Sequence, residues 1–256
     1  MENERGLPVH KVLLLGGTSE AVDLAGRLAE DHRFSTITSL AGRTRNPATV
    51  SGEIRQGGFG GVDGLAAYII AEKVDAVVDA THPFAAQISR HAAGACERLG
   101  TSLVRLSRPP WQQHPEDNWV DVPSVTEAAV SLPLAPRAFV TTGRQELEPF
   151  LQREDLWSLI RVIDPLEQLL DPARGLVITG RGPFAAKSEI ALMETHRVDW
   201  LVSKNSGGSA SYAKIEAARA LGIPVMMVSR PPSKALYGEE FPNSPAVVKW
   251  LGGRFT

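Results

Sequence analysis

An α/β fold built on parallel sheets is predicted by three features of the sequence. Short runs of Leu and β-branched residues recur, continuous rather than alternating, as strands buried on both faces require. Most are followed by a turn containing Gly, Ser or Thr. An alanine-rich stretch with helical spacing then follows most of those turns. Strand, turn and helix repeat in that order along the chain. Its 256 residues are 43% apolar and 22% charged, ordinary usage for folded protein and enough chain for one large domain or two modest ones.

The elements read as follows. Residues 11–15 form a strand, Gly16-Gly17-Thr18-Ser19 a turn, and residues 20–30 a helix. Residues 35–40 lead to Ala41-Gly42-Arg43-Thr44, and residues 74–80 lead to Thr81-His82-Pro83-Phe84 and a helix over 85–99. Residues 102–106 lead to Ser107-Arg108-Pro109-Pro110. The pattern then breaks. Residues 111–136 hold Pro115, Pro123, Pro133 and Pro136, four acids (Glu116, Asp117, Asp121, Glu127) and no Lys or Arg, which reads as a connector with one short helix over 125–131. Five further strands follow, over residues 138–142, 159–162, 176–179, 199–203 and 224–229.

The two series resemble each other. Residues 80–110 align without a gap to 202–232, with eight of 31 positions identical. Leu99-Gly100 falls on Leu221-Gly222, Ser107-Arg108-Pro109-Pro110 on Ser229-Arg230-Pro231-Pro232, and His82 on Lys204. The expected architecture is two Rossmann-like parallel-sheet domains facing a central cleft. Residues 1–112 would form a nucleotide-binding domain, 113–135 the connector and 136–256 a second α/β domain.

Composition excludes several functions. Twenty-seven basic and 29 acidic residues give a net charge of −2, a poor profile for gripping nucleic acid or an anionic membrane. Cys96 is the single cysteine, so no internal disulfide or multi-cysteine metal cage can form, and the six histidines lack metal-ligand spacing. No metal is expected. The first ten residues lack the apolar core of a signal peptide, and the longest apolar run, residues 65–71, is too short to span a membrane. A cytoplasmic protein is the expectation, with its oligomeric state unreadable.

Gly16, Gly17, Thr18, Ser19 and Glu20 have the form of a phosphate-binding turn, where glycine lets the backbone approach an anion at a helix start. A plain strand-to-helix turn capped by Thr18 or Ser19 is the alternative. Folds that prefer NAD place an acid after the second strand. Here Arg43 and Thr44 stand there instead, which suits the 2′-phosphate of NADPH, with a solvated basic turn as the competing reading. The glycines around Phe59, including Gly58 and Gly60, suggest either close approach to a flat ligand or a flexible loop. His82, at a strand end, could donate a proton or simply be structural. In the second half Arg144, Arg181 and the run Lys204, Asn205, Ser206, Gly207, Gly208 follow predicted strands, with Tyr212 and Lys214 in the next helix. Such a group suits a ligand bearing several carboxylates, and three solvated turns are the alternative.

These segments, from residue 12 to about 232 and in family order, resemble the precorrin-6A reductase and cobalt-precorrin-6A reductase family of cobalamin biosynthesis. The segments that carry the resemblance are Gly16-Gly17-Thr18-Ser19-Glu20-Ala21, Ser39-Leu40-Ala41-Gly42-Arg43-Thr44, Gly57-Gly58-Phe59-Gly60-Gly61, Asp79-Ala80-Thr81-His82-Pro83-Phe84-Ala85, Ser107-Arg108-Pro109-Pro110-Trp111, Thr142-Gly143-Arg144 and Lys204-Asn205-Ser206-Gly207-Gly208. The resemblance implies hydride transfer from NADPH to precorrin-6A, then protonation to precorrin-6B, with the cofactor in the first half. The tetrapyrrole arms would meet Arg144, Arg181 and Lys204, and His82, Lys204 or water would give the proton. A short-chain dehydrogenase would need Tyr-x-x-x-Lys, but four residues after Tyr68, Tyr212 and Tyr237 stand Glu72, Glu216 and Phe241. A non-catalytic tetrapyrrole or nucleotide binder is the rival from another class.

Overall fold

The computed structural model describes residues 8–42, 49–166, 170–232 and 238–255. In chain order the elements are β1 (His10–Leu15), α1 (Ser19–Ala29), β2 (Phe34–Leu40), β3 (Glu53–Gln56), α2 (Gly61–Glu72), β4 (Ala76–Asp79), α3 (Ala86–Leu99) and β5 (Ser102–Leu106). Then come β6 (Trp119–Val122), α4 (Val125–Ser131), β7 (Arg137–Val140), a 3₁₀ turn (Arg144–Glu146), α5 (Glu148–Leu151), β8 (Trp157–Val162) and β9 (Gly175–Thr179). The chain continues with α6 (Ala186–Thr195), β10 (Trp200–Lys204), α7 (Ala213–Leu221) and β11 (Val225–Val228), and ends with β12 (Glu240–Phe241) and α8 (Ser244–Arg254).

Two six-stranded sheets result, ordered β12-β5-β4-β1-β2-β3 and β6-β11-β10-β7-β8-β9, and every pairing in them is parallel. The first sheet shows why its strands are apolar throughout. Val12 and Leu14 pack under α1 and α8, while Leu13 and Leu15 pack under α2 and α3. Successive side chains point to opposite faces, so a strand covered on both sides needs an apolar residue at each position.

The repeated Leu-Gly pair has a structural cause. Gly100 and Gly222 cap α3 and α7 in the left-handed region, at φ 65° and 67°, where glycine carries no Cβ penalty. The Ser-Arg-Pro-Pro repeat also has one. Each copy leaves the fifth strand of its sheet, β5 or β11, and carries the chain to the sixth strand of the other sheet, β6 or β12. Each sixth strand is followed by a capped helix. Ser124 accepts from Glu127 N at 3.0 Å, and Asn243 accepts from Ala246 N at 3.0 Å.

This exchange corrects the expected boundaries. The chain divides into one compact unit of Met1–Pro109 with Pro231–Thr256, and a second of Pro110–Arg230. The stretch 113–135 is not a bare connector, because it supplies β6 and α4 to the second sheet's unit. The last residues belong with the first unit, where α8 packs on the core shared with α1. The strands absent from the sequence reading, β3, β6 and β12, all lie at sheet edges. Glu53–Gln56 is largely exposed and β12 has two residues, so neither carries an apolar run.

Two glycines test the packing with opposite signs. A Cβ on Gly64 would lie 1.7 Å from Phe59 O, whereas one on Gly26 would meet nothing within 4 Å. Gly64→Ala is expected to lower stability by roughly 1–3 kcal/mol. Gly26→Ala, inside α1, is expected to raise it by up to about 1 kcal/mol. Urea unfolding of both variants measures the two signs.

Candidate functional site

In open parallel sheets a ligand site forms at the carboxyl ends of the strands, where the strand order reverses. That point lies between β1 and β4 in the first sheet and between β7 and β10 in the second.

In the first unit, Gly16, Gly17, Thr18 and Ser19 stand at this point. Gly17 has φ 113°, and a Cβ on it would meet nothing within 4 Å, so its backbone lies open to a ligand. Gly16 instead packs against β2, where a Cβ would sit 3.0 Å from Thr38 Cγ2. The Thr18 hydroxyl accepts from Ala21 N at 3.2 Å and donates to Ala80 O at 2.7 Å, joining the start of α1 to the end of β4. Glu20 would repel a phosphate, but its carboxylate accepts from Arg108 Nη1 at 2.7 Å and Ser19 Oγ at 3.2 Å. The turn leaves the Gly17 backbone exposed, with the acid beside it paired to Arg108. Arg43 and Thr44 lie outside the described residues.

Arg55 carries no signal in the sequence yet organises the glycine-rich loop. Its guanidinium donates to Gly57 O at 2.6 Å, Gly58 O at 2.7 Å and Ser39 Oγ at 3.3 Å, and lies 3.8 Å from the Phe59 ring centroid. Phe59 also meets Tyr68 edge-on at 5.2 Å, so the ring is part of the loop's own packing. Gly60 sits at φ 80° as the N-cap of α2.

The turn holding His82 is fixed from beneath by a buried ion pair. Asp79 is 0% exposed and Arg105 3%, and their closest approach is 2.5 Å. The carboxylate also accepts from Thr81 N at 3.0 Å, Thr81 Oγ1 at 2.7 Å and Ser89 Oγ at 2.7 Å. Arg105 donates to Thr81 O at 3.3 Å. At the same 122-residue offset the second half has Leu201 and Met227, both buried, so the fold itself does not require charge there. On the turn above, His82 Nδ1 accepts from Phe84 N at 3.3 Å. The neutral imidazole therefore carries its proton on Nε2.

In the second unit, polar groups of the Lys204–Gly208 run hold the chain together. The Asn205 side chain brackets the Trp111 backbone, accepting from its N–H at 2.8 Å and donating to its carbonyl at 3.1 Å. Trp111 Nε1 donates to Gly208 O at 2.7 Å, and Arg230 donates to Asn205 O at 2.8 Å and Ser206 O at 2.9 Å. Asn205 is thus a structural clamp in addition to any contact with substrate. Gly207 and Gly208 take φ 67° and 75° in this turn.

Lys204 pairs with Glu146, a residue the sequence reading did not single out. Burial pushes the Lys204 ammonium down to about 8, against the pull of that carboxylate. Arg144 and Arg181 are exposed on turns after β7 and β9, at the carboxyl edge of the same sheet. Tyr212 accepts from Arg219 Nη2 at 2.9 Å and packs 5.5 Å from Trp111. Together with Phe184, Gly208, Ser209 and Ala213 these two aromatics line a cavity of about 490 Å³. Lys214 does not stand at the sheet edge with the other cations. It is buried in α7.

Among the described residues no group of three or more His, Cys, Asp or Glu is placed to hold a metal, and no helix is long and apolar enough to cross a membrane.

Two parallel sheets with open glycine turns where the strand order reverses define a doubly wound α/β protein. A protein-family model described as Precorrin-6x reductase CbiJ/CobK matches residues 11–252, and the chain belongs to that family of oxidoreductases. A precorrin-6A reductase of Rhodococcus erythropolis is 48% identical over 94% of this chain and 97% of its own length. A cobalt-precorrin-6A reductase of Priestia megaterium is 30% identical over 94% of this chain and 97% of its own. A solved structure described as CobK precorrin-6A reductase is 38% identical and superposes with a TM-score of 0.89, covering 96% of this chain and 97% of that one.

The buried pair beneath His82 gives a direct test. Arg105→Ala leaves Asp79 buried beside an empty space and is expected to cost roughly 3–5 kcal/mol of stability. Arg105→Met with Asp79→Leu restores the residues of the second half and should recover most of that loss. Urea denaturation at constant slope measures both.

Proposed function

We propose that the chain reduces precorrin-6A to precorrin-6B with NADPH in cobalamin biosynthesis. The observation that carries the proposal is the coincidence of family membership along nearly the whole chain with an open glycine turn between β1 and β4. Gly16, Gly17, Thr18 and Ser19 would face the pyrophosphate, with Glu20 held aside by Arg108. The nicotinamide supplies a hydride when bound. Gly58, Phe59 and Gly60 would border the nucleotide, on a loop shaped by Arg55.

NADPH is preferred to NADH because the β2–β3 connection carries Arg43 and Thr44 and no acid through residue 52. Arg55 adds a further cation beside Ser39 at the end of β2. A planar guanidinium binds a phosphate at two points, whereas a ribose diol calls for a carboxylate.

Arg144, Arg181 and Lys204 would meet the acetate and propionate arms of the macrocycle, with amides from the Ser206–Gly208 turn. His82, through Nε2–H, and Lys204 are the side-chain candidates for delivering the proton that completes the reduction, and water is the third source. The metal-free substrate is favoured over the cobalt-containing one by the higher identity to relatives named for it.

Anaerobic incubation of the purified protein with precorrin-6A, followed by macrocycle absorbance, tests this reading. The expected result is a spectral change that needs NADPH and consumes it in equal amount, with NADH a poor substitute. Arg43→Ala should raise KM for NADPH roughly tenfold to hundredfold, the worth of a charge-assisted contact. Loss of a side-chain proton donor should lower turnover by about 10²–10⁴. Near-normal kcat in both His82→Ala and Lys204→Ala would assign the proton to water. No change with either nucleotide would overturn the proposal.

A further inference from the structure

Thr81 stands between the buried Asp79–Arg105 pair and His82, and each of its polar atoms is held from below. Its N–H and hydroxyl donate to Asp79 Oδ1 at 3.0 and 2.7 Å, the hydroxyl oxygen accepts from Arg105 Nη1 at 3.2 Å, and the carbonyl accepts from Arg105 Nη2 at 3.3 Å. Ser89 joins the two charges, donating to Asp79 Oδ2 at 2.7 Å and accepting from Arg105 Nη1 at 3.1 Å. Side chains of β4, β5 and α3 thus converge on one residue. The helix that follows adds no grip of its own, because Ala85 at its N-cap has no side-chain hydrogen bond to offer. In the turn itself, His82 O accepts from Ala85 N at 2.8 Å and His82 Nδ1 from Phe84 N at 3.3 Å. The proton of the neutral ring therefore sits on Nε2, on the side of the imidazole away from that contact.

This turn adjoins the open glycine turn of the same unit. β1 and β4 are neighbours, with Leu15 level with Asp79 in the register. Ala80 N donates to Leu15 O at 2.9 Å, and the Thr18 hydroxyl donates to Ala80 O at 2.7 Å. Gly17 and Thr81 each stand two residues beyond those register partners, so His82 emerges at the edge where the Gly17 backbone is exposed. The fold can be built without the pair. At the 122-residue offset the second half has Leu201, Ser203 and Met227 in place of Asp79, Thr81 and Arg105, all of them buried. A buried ion pair is a poor source of stability, because desolvation offsets its attraction and apolar residues of similar volume often serve as well. What it does supply is hydrogen bonds of fixed direction. Here they are aimed at the residue before His82.

We propose that Asp79 and Arg105 are positioning residues for His82: through Thr81 they hold the imidazole so that its Nε2–H meets a ligand bound beside Gly17. The assignment rests on the reductase reading for the reaction that His82 serves, but the hold on the ring is defined by the pair and can be measured without turnover.

Asp79→Leu combined with Arg105→Met tests it, because this double variant should keep its stability and still lose turnover. Its kcat with precorrin-6A should fall roughly 10–100-fold, the cost of a reacting group about 1 Å out of place, with KM for NADPH little changed. In a His82→Ala background the same two substitutions should cause no further fall, a coupling that a purely structural role would not produce. Thr81→Val keeps the pair and removes only the hydroxyl that links it to the turn. It should lower kcat in the same sense, and it serves equally if the double variant does not fold. Nitrogen-15 NMR of the imidazole, assigned by its loss in His82→Ala, gives a readout without turnover. The neutral ring should be a single Nε2–H tautomer in the wild type and a mixture with Nδ1–H in both variants. Wild-type kcat in the folded double variant, or an equal fall with and without His82, would overturn the positioning role and leave the reductase reading intact. A wild-type protein that turns over no precorrin-6A would overturn the reductase reading, and the imidazole spectrum would then decide: a mixture in both variants supports the hold on His82, and an unchanged Nε2–H tautomer in both overturns it.

Discussion

Parallel pairing is the constraint on which the other features of this protein rest. A parallel strand cannot be joined to its neighbour by a tight hairpin, so each connection must cross over the sheet, mostly through a helix. All carboxyl ends then fall on one edge, and every strand-to-helix turn of a sheet is delivered to the same side. The chain applies this rule twice and closes each sheet with a strand reached through a Ser-Arg-Pro-Pro segment from the other half. The first unit is therefore split in sequence, with the continuous second unit, Pro110–Arg230, inserted between its two parts. Arg108 and Arg230 occupy the same place in the two copies, and each binds the turn of its own unit, through Glu20 in one case and through the carbonyls of Asn205 and Ser206 in the other.

Much of the polar chemistry at the strand ends consequently serves the chain itself. The Thr18 hydroxyl, the Asn205 amide and the Arg55 guanidinium fix turns and hold backbone. The backbone around Gly17 and the side chains of Arg144 and Arg181, by contrast, are exposed. Buried charge separates the two halves more sharply. Asp79 and Arg105 lie in the first half where the second is apolar, and Lys214 lies in the second where the first has Ala92. A repeated fold tolerates either choice, so the two halves share an architecture without sharing the buried charges within it.

The parallel sheets and the turn residues were legible because buried strands must be apolar and glycine must occupy left-handed caps. Gly100 and Gly222 were visible as a repeated Leu-Gly before their conformation was known. The edge strands were not legible. β3 and β12 have no buried apolar run to announce them, and β6 hid among prolines and acids that read as a connector. At the strand ends the glycines and cations stand out by residue type, but their partners do not. Arg105, Arg55 and Glu146 act through contacts that join residues distant in sequence or folded back on a loop, and no local pattern encodes them. Asn205 was placed correctly in a turn, although its side chain is committed to Trp111, 94 residues away.

The proposed function implies a division of labour between two similar units, nucleotide on the first and carboxylate-bearing macrocycle on the second. A crystal structure of the protein soaked with NADP⁺ tests it most directly. Pyrophosphate density is expected against Gly16, Gly17, Thr18 and Ser19, between β1 and β4. Density against Thr142, Gly143 and Arg144 at the end of β7 would contradict it and reverse the roles of the two halves.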